Sequence, residues 1–63
     1  MKWLVERYVF DERDLQFKFA EAFEVSSDEE LLRIVKEVIA PAPRTERWNI
    51  TVVRDEIVAT KNK

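Results

Sequence analysis

The chain holds no histidine and no cysteine. Imidazole acid–base catalysis, thiolate nucleophiles and the usual nitrogen–sulfur metal sites are therefore ruled out. Ser26 and Ser27 are the only serines, and both stand where a helix is expected to begin, so capping accounts for them. With no glycine anywhere, neither a P-loop nor a dinucleotide-binding fingerprint can form. The lysines (Lys2, Lys18, Lys36, Lys61, Lys63) have no apolar surroundings that would depress a pKa toward neutrality. Neither a catalytic residue nor a cofactor is expected, and the chain is read as a non-enzyme.

Oxygen chemistry is the remaining possibility. Carboxylates gather at Asp11/Glu12/Asp14, Asp28/Glu29/Glu30 and Asp55/Glu56. A hard cation takes such ligands, but the spacing of a calcium loop and its glycine are absent. Polar turns and a helix start explain all three groups, and no metal is expected.

The elements that would position these residues follow from periodicity. Residues 2–10 are rich in β-branched and aromatic types and read as a strand. Asp11-Glu12-Arg13-Asp14 is a polar turn. Residues 15–25 alternate clearly, with Leu15, Phe17, Phe19, Phe23 and Val25 on one side, and read as a second strand. A helix over about 27–40 follows. Ser26 with Glu29, or Ser27 with Glu30, fits a capping box, and Leu31, Leu32, Ile34, Val35, Val38 and Ile39 make an apolar stripe. Pro41 ends it. Two further strands are expected over about 48–54 and 57–60, and the last three residues should fray.

The fold class is thus α+β, a ββαββ single domain covering 1–63, with a four-stranded sheet and one helix packed on one face. A right-handed crossover favours the first and last strands side by side and parallel. The order of elements resembles the β-grasp immunoglobulin-binding domains of bacterial surface proteins G and L. That resemblance implies topology alone, since no antibody-binding residue can be matched. An all-antiparallel sheet is the alternative.

Register in the first hairpin decides which side chains face the helix. An odd-numbered loop segregates the residues best. It places Trp3, Val5, Arg7, Val9, Phe17, Phe19, Glu21, Phe23 and Val25 inward. Lys2, Leu4, Glu6, Tyr8, Phe10, Gln16, Lys18, Ala20, Ala22 and Glu24 then face outward. Arg7 and Glu21 would be neighbours whose stems pack while their charged ends reach water. Leu4, Tyr8 and Phe10, with Lys18, become a candidate partner-binding surface, because contiguous exposed apolar groups mark interaction sites and tyrosine is frequent at their centres.

Eleven basic and thirteen acidic residues give a net charge of −2, which supplies no general attraction for phosphates. Arg13, Arg44, Arg47 and Lys61 are nevertheless the candidate contacts if nucleic acid is the ligand, with Trp48 adjacent for stacking. Trp48 also fits an inward pattern with Ile50 and Val52. Met1–Arg7 lacks the apolar run of a signal peptide, and no stretch approaches the roughly 20 apolar residues that span a bilayer. A cytoplasmic protein is expected. These readings favour a small non-catalytic protein-interaction module, an inhibitor or adaptor of phage or mobile-element type. A nucleic-acid-binding domain and a structural homo-oligomer subunit, with a homodimer possible, are the alternatives.

Overall fold

A computed structural model of the chain describes residues 1–53. Three strands, β1 (Lys2–Asp11), β2 (Gln16–Val25) and β3 (Glu46–Val53), form an antiparallel sheet in the order β2-β1-β3. Between β2 and β3 lies α1 (Asp28–Ile34), which runs on into a π-helical turn, Val35–Ile39. The fold is a small α+β arrangement. The strand expected over 57–60 lies outside the described residues. Both edges of β1 are occupied, by β2 and by β3, and both pairings are antiparallel. Among the described strands the sheet therefore follows the antiparallel alternative rather than a parallel partner beside β1.

Chemistry in the first turn fixes the hairpin. Asp11 Oδ1 accepts the Arg13 N–H at 2.8 Å, and the Asp11 carbonyl accepts the Leu15 N–H at 2.8 Å. An aspartate that captures the amide two residues on imitates a backbone turn. Asp11 then pairs with Gln16, which leaves Glu12, Arg13, Asp14 and Leu15 as the loop. That loop is even-numbered, not odd, and the parity expected from the sequence fails there. Leu15 closes the turn at φ 55°, in the left-handed region that a branched side chain resists.

Parity is restored further along. Phe10 stands opposite Phe17, Val9 opposite Lys18 and Tyr8 opposite Phe19, but the next residue of β1, Arg7, stands opposite Glu21. Ala20 is skipped, and β2 carries a bulge there. Beyond it Val5 pairs with Phe23 and Trp3 with Val25, as an odd loop would have placed them.

At the open end of the sheet, away from the hairpin, one face gathers Trp3, Val5, Phe23, Val25, Ile50 and Val52. Its centre is the core, Val5 at 0% exposure and Val25 at 2%. Ser27 caps α1, its Oγ accepting the Glu30 N–H at 3.3 Å and its carbonyl the Leu31 N–H at 3.0 Å. Asp28, Glu29 and Glu30 fill the first turn, where the helix dipole favours carboxylates. Leu31, Ile34, Val35 and Ile39 are half-buried, whereas Leu32 and Val38 of the expected stripe are exposed. The last turn widens so that the Ala40 N–H reaches the Val35 carbonyl at 2.8 Å. Pro41 has no amide with which to continue the helix.

Candidate docking face

The bulge at Ala20 makes the apolar residues of β2 change sides. On the hairpin half of the sheet, Phe17 and Phe19 join Tyr8 and Phe10. The rings meet edge to face, Tyr8 to Phe19 with centroids 5.8 Å apart and Phe10 to Phe17 with centroids 5.4 Å apart. Both distances lie in the range where the ring quadrupoles attract. The expectation that Phe17 and Phe19 face inward is thereby corrected.

Arg47 completes the cluster. It pairs with Tyr8 from the β3 side, yet its guanidinium carbon sits 4.2 Å from the centroid of the Phe17 ring on β2. Its side chain therefore crosses the central strand and lies over the aromatic group, a cation–π placement. Tyr8, Phe17, Arg47 and Asn49 are among the residues that line a shallow depression of about 340 Å³. Phe19 remains 59% exposed, and Tyr8, Phe10 and Phe17 are half-buried.

The rest of this face is polar and balanced. Lys2 Nζ lies 3.8 Å from Glu24 Oε1, and Asn49 Nδ2 donates to Glu6 Oε1 at 3.3 Å. Leu4 is half-buried between Glu24 on β2 and Thr51 on β3. Arg47 has no carboxylate partner among the described residues.

Polar groups on the opposite face of the hairpin half are bonded to one another. Arg7 Nε donates to Glu21 Oε2 at 2.8 Å, and its Nη1 reaches Glu46 Oε2 at 3.4 Å. Trp48 Nε1 donates to Glu46 Oε1 at 3.2 Å. Arg7 and Glu21 are thus direct cross-strand partners. Trp48 is half-buried on this face with Ile50 and Val52 in line.

Lys18 belongs here as well. It pairs with Val9, and its ammonium bonds Asp14 and lies 3.1 Å from Asp11 Oδ2. Its grouping with Leu4, Tyr8 and Phe10 is a correction, because the even loop turns it to the other side. Lys18 and the Arg13 amide hold the Asp11 carboxyl below its ordinary value. Asp14 and then Asp11 raise the Lys18 ammonium above its own.

Of the sequence-derived candidates, Leu4, Tyr8 and Phe10 therefore share a face, and Lys18 does not. Among the arginines proposed for nucleic acid, only Arg47 lies on the aromatic face. Arg13 is in the hairpin turn, and Arg44 is exposed in the connector beside Thr45, whose carbonyl accepts the Phe10 N–H at 2.8 Å. Lys61 lies outside the described residues. Phe17 and Phe19 are the site residues that sequence reasoning missed; the signal available was the capacity of Asp11 to close a four-residue turn.

Among the described residues, no group of three or more acidic side chains is placed to hold a metal ion. No helix among them is long and apolar enough to cross a membrane. No family model, curated protein or solved structure matches the chain.

Proposed function

We propose that this chain is a non-catalytic protein-interaction module, of inhibitor or adaptor type, that docks through the sheet face bearing Tyr8, Phe10, Phe17, Phe19 and Arg47. One observation carries the reading. Four aromatic rings stand together on one face, with Phe19 59% exposed and a guanidinium laid over Phe17. Aromatic residues and arginine are the types that dominate binding energy at protein interfaces, where they bury large area at small cost in side-chain entropy.

The rim suits a protein partner better than a phosphate chain. Lys2 and Arg47 are equalled in number by Glu6 and Glu24, so the described residues of this face carry no net charge. Nucleic-acid affinity depends on uncompensated cations. The stacking of Arg47 on Phe17 beside Tyr8 is the one feature that favours single-stranded nucleic acid as a second reading. A titration with single-stranded oligonucleotides at low salt tests it, and absence of binding removes it.

The test of the leading reading is site-specific photo-crosslinking in the native cell from position 19, with position 36 on the exposed face of the helix region as control. A discrete protein adduct from position 19 and none from position 36 is expected. If position 19 gives no adduct, the docking role is wrong.

A further inference from the structure

We infer that the hairpin half of β2 has a second, less populated register. A one-residue slip removes the bulge at Ala20, widens the turn to five residues and carries Phe17 and Phe19 from the aromatic face to the opposite face of the sheet. The slip is a property of the chain alone; its use as a control on docking rests on the role proposed above.

The pairing permits the slip without disturbing the rest of the sheet. Arg7 stays opposite Glu21, and the pairs beyond it are common to both registers. With Ala20 taken into the ladder, Tyr8 meets Ala20, Val9 meets Phe19, Phe10 meets Lys18 and Asp11 meets Phe17. Residues 12–16 then form the turn, a length that hairpins also use. β1 stays where β3 holds it, with Tyr8 opposite Arg47 and Val9 opposite Glu46. β2 is an edge strand among the described residues, so no pairing on its outer side has to break.

Opposed preferences bring the two registers close in free energy. The observed one holds Leu15 at φ 55° and leaves one residue of β2 out of the ladder. The slipped one relieves both and puts Phe17, Phe19, Phe23 and Val25 on one face, as their spacing favours. Several contacts hold the chain in the observed register. Asp11 accepts the Arg13 and Leu15 amides, and Lys18 bridges Asp11 and Asp14. The two ring pairs and the Arg47 guanidinium over Phe17 add to them. The slipped register is thus a minor state, in the roughly 0.1–10% range of such conformers.

The slip changes what the face presents. Lys18 and Ala20 replace Phe17 and Phe19 beside Tyr8 and Phe10, and Arg47 loses the ring beneath it. Four grouped rings become two. A partner that binds all four selects the observed register and withdraws the other.

Chemical-exchange saturation transfer on the full chain tests the inference. A minor state is expected whose altered amide shifts are confined to residues 12–20 and to residues 8–11 facing them. The Val9 methyls should carry a ring-current shift in that state, where Phe19 arrives. Deleting Ala20 makes the observed pairing the unbulged one, so the exchange should vanish. Leu15→Gly should lower the minor population about fivefold, and Asp11→Ala should raise it by at least that factor. A wild type without this minor state overturns the inference, as does exchange that survives the deletion or involves residues 21–25 equally. Should the deletion variant not fold, the two substitutions decide, and a population that they fail to move in opposite directions also overturns it. Exchange without an adduct from position 19 keeps the slip and removes the docking role. An adduct without exchange keeps the docking role and removes the slip.

Discussion

Tyr8 stands opposite Phe19 across the β1–β2 ladder, ring edge to ring face, while its neighbour Arg7 stands opposite Glu21. The single residue Ala20, skipped between those pairs, moves the apolar half of β2 from one side of the sheet to the other. The sheet thus has two apolar regions on opposite faces and at opposite ends. One holds the valine core, and the other is the candidate docking surface.

Deleting Ala20 should therefore be tolerated. Glu21 would then follow Phe19 directly, and every cross-strand pair on either side of the bulge would keep its partner. The Tyr8–Phe19 contact is expected to persist in the deletion variant by nuclear Overhauser spectroscopy. Its loss would mean that the bulge does more than take up one residue.

Leu15 carries a left-handed conformation on a branched, 75% exposed side chain in a sequence without glycine. Relieving that conformation with Leu15→Gly should raise stability by about 1 kcal/mol. Urea denaturation of the two proteins measures the difference, and a destabilised variant would show that the Leu15 side chain contributes packing.

Ser27→Ala should cost about 1 kcal/mol, because it removes the acceptor for the Glu30 amide and exposes an orphan donor of the first helical turn. Ser26→Ala should be close to neutral. Equal losses at the two positions would contradict the assignment of Ser27 as the cap.

Arg7 is the cation shared by Glu21 and Glu46, and its side chain is 28% exposed. Arg7→Ala leaves two carboxylates facing the same space and is expected to destabilise by about 1–2 kcal/mol. Restoring Glu21→Gln in that background should recover part of the loss, which thermal unfolding would read out. If the second change adds further loss, the charges are not coupled.

The hairpin turn should respond to pH at both extremes. Asp11 has a folded-state pKa below its unfolded value, through Lys18 first and the Arg13 amide second. Its contribution is complete above the carboxylate range and is lost as pH falls through the lowered pKa, below about pH 4. Lys18 is raised, through Asp14 first and Asp11 second. Its contribution is complete below the ordinary lysine range, near pH 10, and is lost as pH rises through the raised pKa. Chemical shifts of the Leu15 amide should move at both ends of the scale and stay flat between. A midpoint for Asp11 above the ordinary range would reverse the sign.

Much of this arrangement is legible in the residues themselves. Alternation marks β1 and β2, the Ser27–Glu30 spacing marks the helix start, and Pro41 marks its end, each a local preference that tertiary packing leaves in place. The Tyr8 and Phe10 surface is legible too, since the parity of β1 alone sets it. What the sequence conceals is the position of Ala20. The alternation from Leu15 to Val25, broken only at Glu21, argues for one continuous face, but the turn closed by Asp11 imposes an even loop, and a one-residue slip reverses every side chain. Only the pairing of β2 against β1 determines where that conflict is released. The burial pattern of the helix is hidden for a related reason, because a stripe records which residues are apolar, not how much surface meets it.

The most direct measurement is a set of ring-to-ring nuclear Overhauser contacts in the full chain with selectively labelled phenylalanine and tyrosine. Cross-peaks joining Tyr8 to Phe19 and Phe10 to Phe17 are predicted, with none from either phenylalanine to the Val9 methyls. Strong peaks from Phe17 or Phe19 to Val9, without the Tyr8–Phe19 peak, would put those rings on the opposite face and leave no aromatic surface to dock.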